Sequence, residues 1–176
     1  MKINLRIMIG LIISISILAI SFGGCAKTEP VVDPNILSDY SISLFYVNDI
    51  YVQTGDDVKY EPLMPVYEMK INTTKDTLAL DILNQLKIVP EKENFGTMVT
   101  DQIEFLGVSL DGEMAKVDFS SVGLSGSSTQ ESLIISQILS TLFLNFPDIN
   151  QVQFLVDGQI AESLMGHIGA SEPFLK

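Results

Sequence analysis

The sequence has few of the residues on which many small folds and active sites depend: its 176 residues include one cysteine, one histidine and no tryptophan. A single cysteine excludes an internal disulfide, so the domain must be stabilised by its own apolar core. Without tryptophan, any protein interface must use tyrosine and phenylalanine as its large side chains. One histidine, with no carboxylates at metal-motif spacing around it, argues against a metal site.

Catalytic motifs are also missing at the spacings that their chemistry requires. Residues 123–127 (GLSGS) differ from a nucleophile elbow because serine stands where the second glycine belongs. Asp111 and Glu113 flank a turn glycine and Asp118 lies on a predicted strand, so turn chemistry and a solvated sheet face explain all three. His167 lies in a glycine-rich segment, where we expect a locally hydrogen-bonded ring with a structural role. We therefore expect no enzymatic activity, and no metal or cofactor.

Positive charge is scarce as well. The chain has ten lysine and arginine residues against 22 acidic residues, and two of the ten, Lys2 and Arg6, lie in its first 24 residues. The remainder carries eight lysines against all 22 acids, and such a surface should repel nucleic acid and anionic lipid headgroups. The excess of acidic residues either keeps the protein soluble or favours the binding of a basic partner or of cations.

The longest apolar run lies at the N-terminus. Lys2 and Arg6 precede an apolar run over residues 7–22, and two glycines separate that run from Cys25. This is the order of a secretory signal: a charged region, an apolar region and a small-residue cleavage zone. The run is shorter than the roughly 20 residues that a permanent helical span requires. The sequence SFGGC over residues 21–25 resembles a lipobox, in which small residues precede a lipidated cysteine.

We therefore predict a signal peptide over residues 1–24 and lipid attachment at Cys25, with acyl chains such as palmitate. Acyl chains contribute about 0.8 kcal/mol per buried methylene, and two chains give stable anchoring to the bilayer. The alternative is an uncleaved anchor, and the cations at its N-terminus then place the rest of the chain outside the cytoplasm. Both alternatives predict a lipid-anchored or membrane-anchored protein on the extracytoplasmic face of the cell membrane.

The remaining chain divides into a tether and one domain. Residues 25–40 contain the lipidated cysteine, Pro30 and Pro34 and no hydrophobic period, so we predict a flexible tether with a span of about 20 Å. Residues 41–176 are long enough for one domain with a sizeable core and too short for two.

The first half of this domain is predicted to contain short strands and one helix. Thr73 or Thr74 should cap a helix whose apolar residues recur at helical spacing, and Pro90 should end it. Alternating polarity and turn residues predict the other segments: a strand at 41–47, short strands at 51–52 and 58–60 around a turn at 55–57, and an extended segment at 66–71.

The second half contains the clearest elements. Residues 103–119 alternate in polarity on both sides of Asp111 and Gly112, which predicts a hairpin with a type I′ turn at this pair. Residues 151–158 read as a buried strand ending in a turn.

A long helix separates this hairpin from the last strand. Ser128 and Glu131 have the spacing of a capping box, and the apolar stripe that follows extends to about Asn145. The resulting order is β, a variable segment, α, β, β, α, β. It predicts an α+β two-layer sandwich in which two helices cover one face of a small mixed β-sheet.

Three segments of the second half form a recognisable pattern: SLDGEMAKVDFS at 109–120, ILSTLFLNFPDI at 138–149 with its central Thr141, and QVQFLVDGQIAESLMGHIGASEPF at 151–174. Together they resemble the GerMN domain, which is named for a protein of spore formation and germination. The resemblance implies an envelope protein with no known catalysis and a fold similar to the ring-building motifs of secretion and sporulation complexes. The namesake carries the domain in tandem, and this chain has room for one copy.

Two functional hypotheses follow. The first is a non-catalytic structural or interaction module of the cell envelope, in sporulation, spore germination or general envelope maintenance. It would contact itself or an envelope protein through an exposed sheet edge or helix face. The second is a ligand-binding lipoprotein for a small molecule, peptide or cell-wall fragment. Its groove would be lined by tyrosines, which could instead cover the edge of the core: Tyr46, Tyr51, Tyr60 and Tyr67.

Overall fold

The computed structural model describes residues 35–176. The predicted signal peptide, Cys25 and the tether up to residue 34 lie outside the described residues, so the lipidation and the cleavage stay predictions.

The described residues form short strands around two amphipathic helices, with a third helix of six residues. In chain order the elements are β1 (Ser38–Leu44), β2 (Val47–Asn48), α1 (Asp49–Thr54), β3 (Tyr67–Thr73), α2 (Leu78–Gln85), β4 (Phe95–Gly96), β5 (Phe105–Asp111), β6 (Met114–Phe119), α3 (Ser128–Asn145), β7 (Gln151–Val156), β8 (Gln159–Ile160) and β9 (Phe174–Leu175).

The strands are divided among three small sheets. β1 pairs with β3 and β2 pairs with β4, both antiparallel. The largest sheet has the order β5-β6-β7, and both β8 and β9 pair with the far side of β7. Its β6–β7 pair is parallel and the others are antiparallel, so it is mixed as predicted. The α+β class is confirmed, with its strands in three sheets where one was expected.

One hydrophobic core joins both long helices to the inner face of the mixed sheet. Alternation in β6 buries Ala115, Val117 and Phe119, and Val152 and Phe154 of β7 lie beside them. Burial of each large side chain contributes about 1.5–3 kcal/mol. The helices contribute buried residues to the same cluster: Ile82, Leu83, Ile134, Ile138 and Leu142. The prediction of two helices on one sheet face is therefore confirmed.

The segment after β2 folds as the helix α1 and residues 58–60 lie in a turn, so the short strands predicted at 51–52 and 58–60 are wrong. The Asn48 side chain accepts a hydrogen bond from Ile50 N–H at 3.1 Å, which caps the first turn. Gly55 has φ +66° at the C-terminal end, a conformation that glycine adopts without strain. Apolar pairs in so short a segment do not distinguish a strand from a helical turn.

The predicted start of α2 is also wrong. Thr73 is the buried last residue of β3, and the hydroxyls of Thr73, Thr74 and Thr77 hydrogen-bond one another in the turn that follows. Thr73 also donates to the carboxylate of Asp81 in the first turn of α2. The threonines thus connect β3 to the helix, which begins at Leu78 and ends before Pro90 is reached.

The two Asp-Gly pairs form different turns. Asp111 pairs with Met114, so the β5–β6 loop consists of Gly112 and Glu113, and only Gly112 has positive φ. That is the pattern of a type II′ turn, and the predicted type I′ turn is wrong there. Between β7 and β8, Asp157 and Gly158 have φ of 49° and 78°, which is the type I′ pattern.

Candidate functional site

A row of polar side chains on α3 closes one edge of β1. Asn145 Oδ1 accepts Ser43 N–H at 2.9 Å, and its Nδ2 donates to the Ser43 carbonyl at 2.6 Å. Thr141 Oγ1 accepts Phe45 N–H at 3.2 Å, and Gln137 Nε2 donates to the Phe45 carbonyl at 3.2 Å. These three side chains, spaced by four residues on a largely apolar helix, replace a neighbouring strand.

This closure leaves β3 as the open side of the two-stranded sheet. Because Ser43 directs its main-chain groups toward α3, its pair with Glu68 is a non-hydrogen-bonded pair. Alternation then directs the N–H and C=O groups of Glu68, Lys70 and Asn72 away from β1. Within residues 35–176, these outward groups meet no hydrogen-bond partner.

The mixed sheet has a second open edge, at β5. Asp111 and Met114 close a two-residue hairpin, so alternation directs the main-chain groups of Val108 and Leu110 away from β6. Leu110 is 44 % exposed, and Leu106 in the adjacent bulge is 49 % exposed. The edge of β5 is therefore both unpaired and apolar, a combination that folded proteins usually avoid.

Glu131 holds the C-terminal segment onto α3. Its side chain is fully buried, and its Oε1 accepts the N–H groups of Leu164 and Met165, both at 2.9 Å. Its Oε2 accepts those of His167 and Ile168, at 2.9 and 3.2 Å.

The helix α3 is capped by Ser127, whose Oγ accepts Gln130 N–H at 3.2 Å. The predicted capping box of Ser128 and Glu131 is therefore wrong.

His167 is hydrogen-bonded to α3 and to the loop before it, whereas local hydrogen bonds of its ring were expected. Its Nε2 lies 3.1 Å from the carbonyl oxygen of Gly126, in the glycine-rich loop before α3. A Cβ on Gly126 would approach the Met165 sulfur to 2.9 Å, so glycine allows the loop to pack against the tail. The contacts of His167 match the structural role expected for it.

The carboxylates considered for catalysis make contacts within the sheet. Asp118 Oδ1 accepts Gly158 N–H at 2.9 Å and supports the β7–β8 turn. Glu113 Oε2 accepts the Asn150 amide at 2.7 Å, and Asp111 lies 3.8 Å from Lys116. Within residues 35–176 no group of three or more histidine, cysteine or acidic residues could hold a metal ion.

The four tyrosines divide between core and surface. Tyr46 is buried, and its hydroxyl donates to the carbonyls of Gln85 and Ile88 at 3.1 and 2.7 Å. Burial raises the pKa of Tyr46 to about 12, with a smaller contribution from Tyr67. Tyr67 packs edge-on against it, at 6.0 Å between ring centroids. These two tyrosines cover the core, whereas Tyr51 and Tyr60 line the surface.

The two surface tyrosines line neighbouring depressions along α3, and Tyr60 lines the larger one, a groove. The groove has a volume of about 760 Å³ and lies between the segment 59–65 and the exposed side of α3 at Ser136 and Ser140. Tyr60 lines it, and Tyr51 lines a smaller depression of about 310 Å³ beside it.

No helix within residues 35–176 combines the length and apolarity needed to cross a bilayer.

The sequence is similar to one known family. The profile of the Germane family, described as sporulation and spore germination, matches residues 43–162. The matched range begins in β1 and ends after β8. It therefore also contains α1 and α2, which precede the segments that carry the resemblance in the sequence. No curated protein is significantly similar to the chain.

Solved structures share the fold at low identity. The first GerMN domain of the sporulation protein GerM from Bacillus subtilis matches with a TM-score of 0.56 at 16 % identity, covering 78 % of this chain and 98 % of that domain. A predicted lipoprotein from Clostridium perfringens matches with a TM-score of 0.52 at 21 % identity, covering 82 % of this chain and 93 % of that one. The GerMN resemblance is therefore confirmed in fold.

Proposed function

Because the chain belongs to the Germane family of sporulation and spore germination proteins, we propose that it is a non-catalytic interaction module of the cell envelope. It is held at the outer face of the membrane by acylated Cys25, and it assembles with envelope proteins or with further copies of itself through open strand edges. The observation that carries this proposal is the contrast between the closed edge of β1 and the open, apolar edge of β5.

Because α3 closes the edge of β1, this fold is able to cover a strand edge where it needs to, and the edges that stay open are exceptions. α3 supplies three polar side chains to one edge, and such residues reduce the apolar surface that the helix can bury. No comparable cover is present over Val108 and Leu110 among the described residues. An edge of this kind accepts a strand from another chain through main-chain hydrogen bonds, with exposed leucines providing apolar contact.

Two observations support membrane attachment. The lipobox-like SFGGC ends at Cys25, and twelve residues separate that cysteine from Ser38 at the start of β1. The tether predicted from the sequence, with its span of about 20 Å, would keep the open edges close to the bilayer surface. The similar chain from Clostridium perfringens is itself predicted to be a lipoprotein.

The surface charge also fits an extracellular role in protein contact. Eight lysines and 22 acids follow residue 24. This charge disfavours nucleic acid and anionic headgroups as partners, and it favours a protein surface with basic character.

Crosslinking in native membranes tests the assembly. We expect the full-length protein to give a crosslinked species with itself or a partner, and we expect Leu110→Lys to reduce that species because lysine on an edge strand opposes strand addition. Leu144→Lys is the matched control, since Leu144 is 47 % exposed and lies on α3. Equal yields for wild type and Leu110→Lys, or no crosslinked species at all, would contradict the proposal.

A further inference from the structure

The groove along α3 has the size and lining of a ligand site. Its volume of about 760 Å³ lies in the range of sites that bind drug-sized molecules or short peptides. Its walls are mainly apolar, and its lining includes Phe45, Tyr60, Leu63, Met64, Pro62 and Pro65. The smaller depression beside it shares Pro62 and Ser136 with it, so the two form one surface along the helix.

Leu63, one of the residues that line the groove, has unpaired main-chain groups. Leu63 forms an isolated antiparallel bridge with Val47. The bridge is made by Asn48 N–H to the Pro62 carbonyl and Met64 N–H to the Tyr46 carbonyl, both flanking Leu63. In this pattern the N–H and C=O of Leu63 point away from Val47. Neither group has a hydrogen-bond partner within residues 35–176.

The helix α3 carries a row of serines. Ser128, Ser132, Ser136 and Ser140 recur every four residues, so they lie on one side of the helix. Small side chains let another main chain approach the helix closely. The hydroxyls of Ser136 and Ser140 have no hydrogen-bond partner in the described part of the chain, and both residues line the groove with Leu63.

The rim of the groove is acidic. Residues 49–61, which form α1 and the loop after it, contain four carboxylates and one lysine. The Lys59 ammonium lies 4.9 Å from the centre of the Tyr60 ring, where it contacts the aromatic face. The carboxylates of Asp57 and Glu61 are exposed at this rim and would attract a cation.

We propose that this groove binds an extended peptide segment of another protein, with apolar side chains between lysine or arginine residues. The peptide main chain pairs with the outward groups of Leu63 and with the hydroxyls of Ser136 and Ser140, as a strand added to the Leu63 bridge. Its apolar side chains contact Tyr60 and Met64. Its cationic ends lie near the acidic rim, which adds specificity and speeds association.

A cationic peptide with apolar side chains would contact groups of the groove that other ligands would leave without a partner. A small apolar molecule would fill the walls and leave the main-chain groups of Leu63 unpaired, which lowers affinity. An acidic peptide would meet the exposed carboxylates of Asp57 and Glu61, which carry the same charge. The site is also separate in sequence from the open edges of β3 and β5, so it does not depend on the assembly proposed for them.

Fluorescence anisotropy with labelled peptide pools tests the proposal. The full-length acylated protein is placed in nanodiscs of neutral phosphatidylcholine, since cationic peptides would bind anionic lipid. One pool has heptapeptides with lysine at both ends and mixed valine, leucine, threonine and proline between them, and the other has glutamate at both ends. We expect the lysine pool to bind about tenfold more tightly, and added salt to reduce the difference.

Variants of the full-length protein locate the binding. Ser136→Leu fills the groove and should weaken binding of the lysine pool about tenfold. Ser171→Leu, an exposed substitution in the tail, should leave binding of that pool unchanged. If Ser136→Leu does not fold, the double variant Asp57→Lys, Glu61→Lys reverses charge at two exposed positions, and it should exchange the preference between the pools. Leu110→Lys should bind the lysine pool normally, which separates this proposal from edge assembly.

Three results would overturn the proposal. The first is an absence of binding of the lysine pool. The second is equal binding of the lysine pool by the wild type, by Ser136→Leu and by the double variant Asp57→Lys, Glu61→Lys. The third is that the apolar dye ANS binds, that Ser136→Leu abolishes this binding, and that neither peptide pool binds. That result would assign the groove to a small apolar molecule.

Discussion

The side-chain amide of Asn145 pairs with the main chain of Ser43 as a neighbouring β-strand would. Its Oδ1 accepts the Ser43 N–H at 2.9 Å, and its Nδ2 donates to the Ser43 carbonyl at 2.6 Å. Nδ2 also reaches the carbonyl of Thr141 at 2.7 Å, which fixes the amide against α3. This contact decides which side of the β1–β3 sheet remains available to a partner.

Replacing Asn145 by leucine should destabilise the fold. Leucine has a similar size but leaves both main-chain groups of Ser43 without partners, at a cost of about 2 kcal/mol in the free energy of unfolding. Urea denaturation of the full chain in detergent measures the change. Asn150→Ala is the control, because Asn150 is exposed and its side-chain amide is hydrogen-bonded only to the Glu113 side chain. Similar losses for the two variants would contradict the closing role of Asn145.

The Glu131→Gln variant tests the contact between α3 and the C-terminal segment. Each carboxylate oxygen accepts two N–H groups, so an amide NH₂ in place of one oxygen would oppose two donors. We expect a loss of about 3 kcal/mol, together with faster hydrogen exchange at residues 164–168. Glu162→Gln, an exposed change in the same segment, should alter neither quantity. Unchanged exchange in Glu131→Gln would show that the tail is held by other contacts.

The sequence predicts the elements that are long and strongly periodic. The β5–β6 hairpin, α3 and β7 are found within a few residues of their predicted positions, because alternation or a helical stripe extends over many residues. The short α1 is missed because six residues carry too few apolar positions to establish a period. Its signals were the capping side chain of Asn48 and the glycine at Gly55.

The polar residues that organise the site are harder to predict. Glu131 has capping-box spacing from Ser128, but the helix is capped by Ser127, and the shift of one residue turns Glu131 toward the buried tail. Gln137, Thr141 and Asn145 recur every four residues within an apolar stripe. That recurrence is a usable signal for buried polar contacts, although it does not identify the strand that they meet.

Tyr46 should make stability fall at high pH. Burial raises its pKa to about 12, whereas tyrosine in the unfolded chain titrates near 10. The contribution of protonated Tyr46 is therefore complete below pH 10 and is lost as the pH rises from about 10 toward about 12. Tyr46→Phe cannot ionise, so its unfolding free energy should decline less steeply over this range. Equal slopes in urea titrations of the two proteins would rule out this role for Tyr46.

Cys25 should carry the membrane anchor. Mass spectrometry of the native protein is expected to find a chain that starts at Cys25 and carries acyl chains, and detergent should be needed to extract it. Cys25→Ser should lack the acyl mass and keep residues 1–24, because a serine hydroxyl cannot form the thioether. A native chain with an unmodified Cys25 thiol and an intact N-terminus in the cytosol would contradict the anchor.

The most direct measurement of edge assembly uses one engineered cysteine. When Cys25 is acylated, Ser109→Cys provides a single reactive thiol on β5, where Ser109 is exposed, and Ser171→Cys provides the same thiol on the tail. With a short bis-maleimide in native membranes, we predict a discrete adduct with itself or a partner for Ser109→Cys, and much less for Ser171→Cys. No adduct, or equal adducts from both positions, would contradict assembly through the edge of β5.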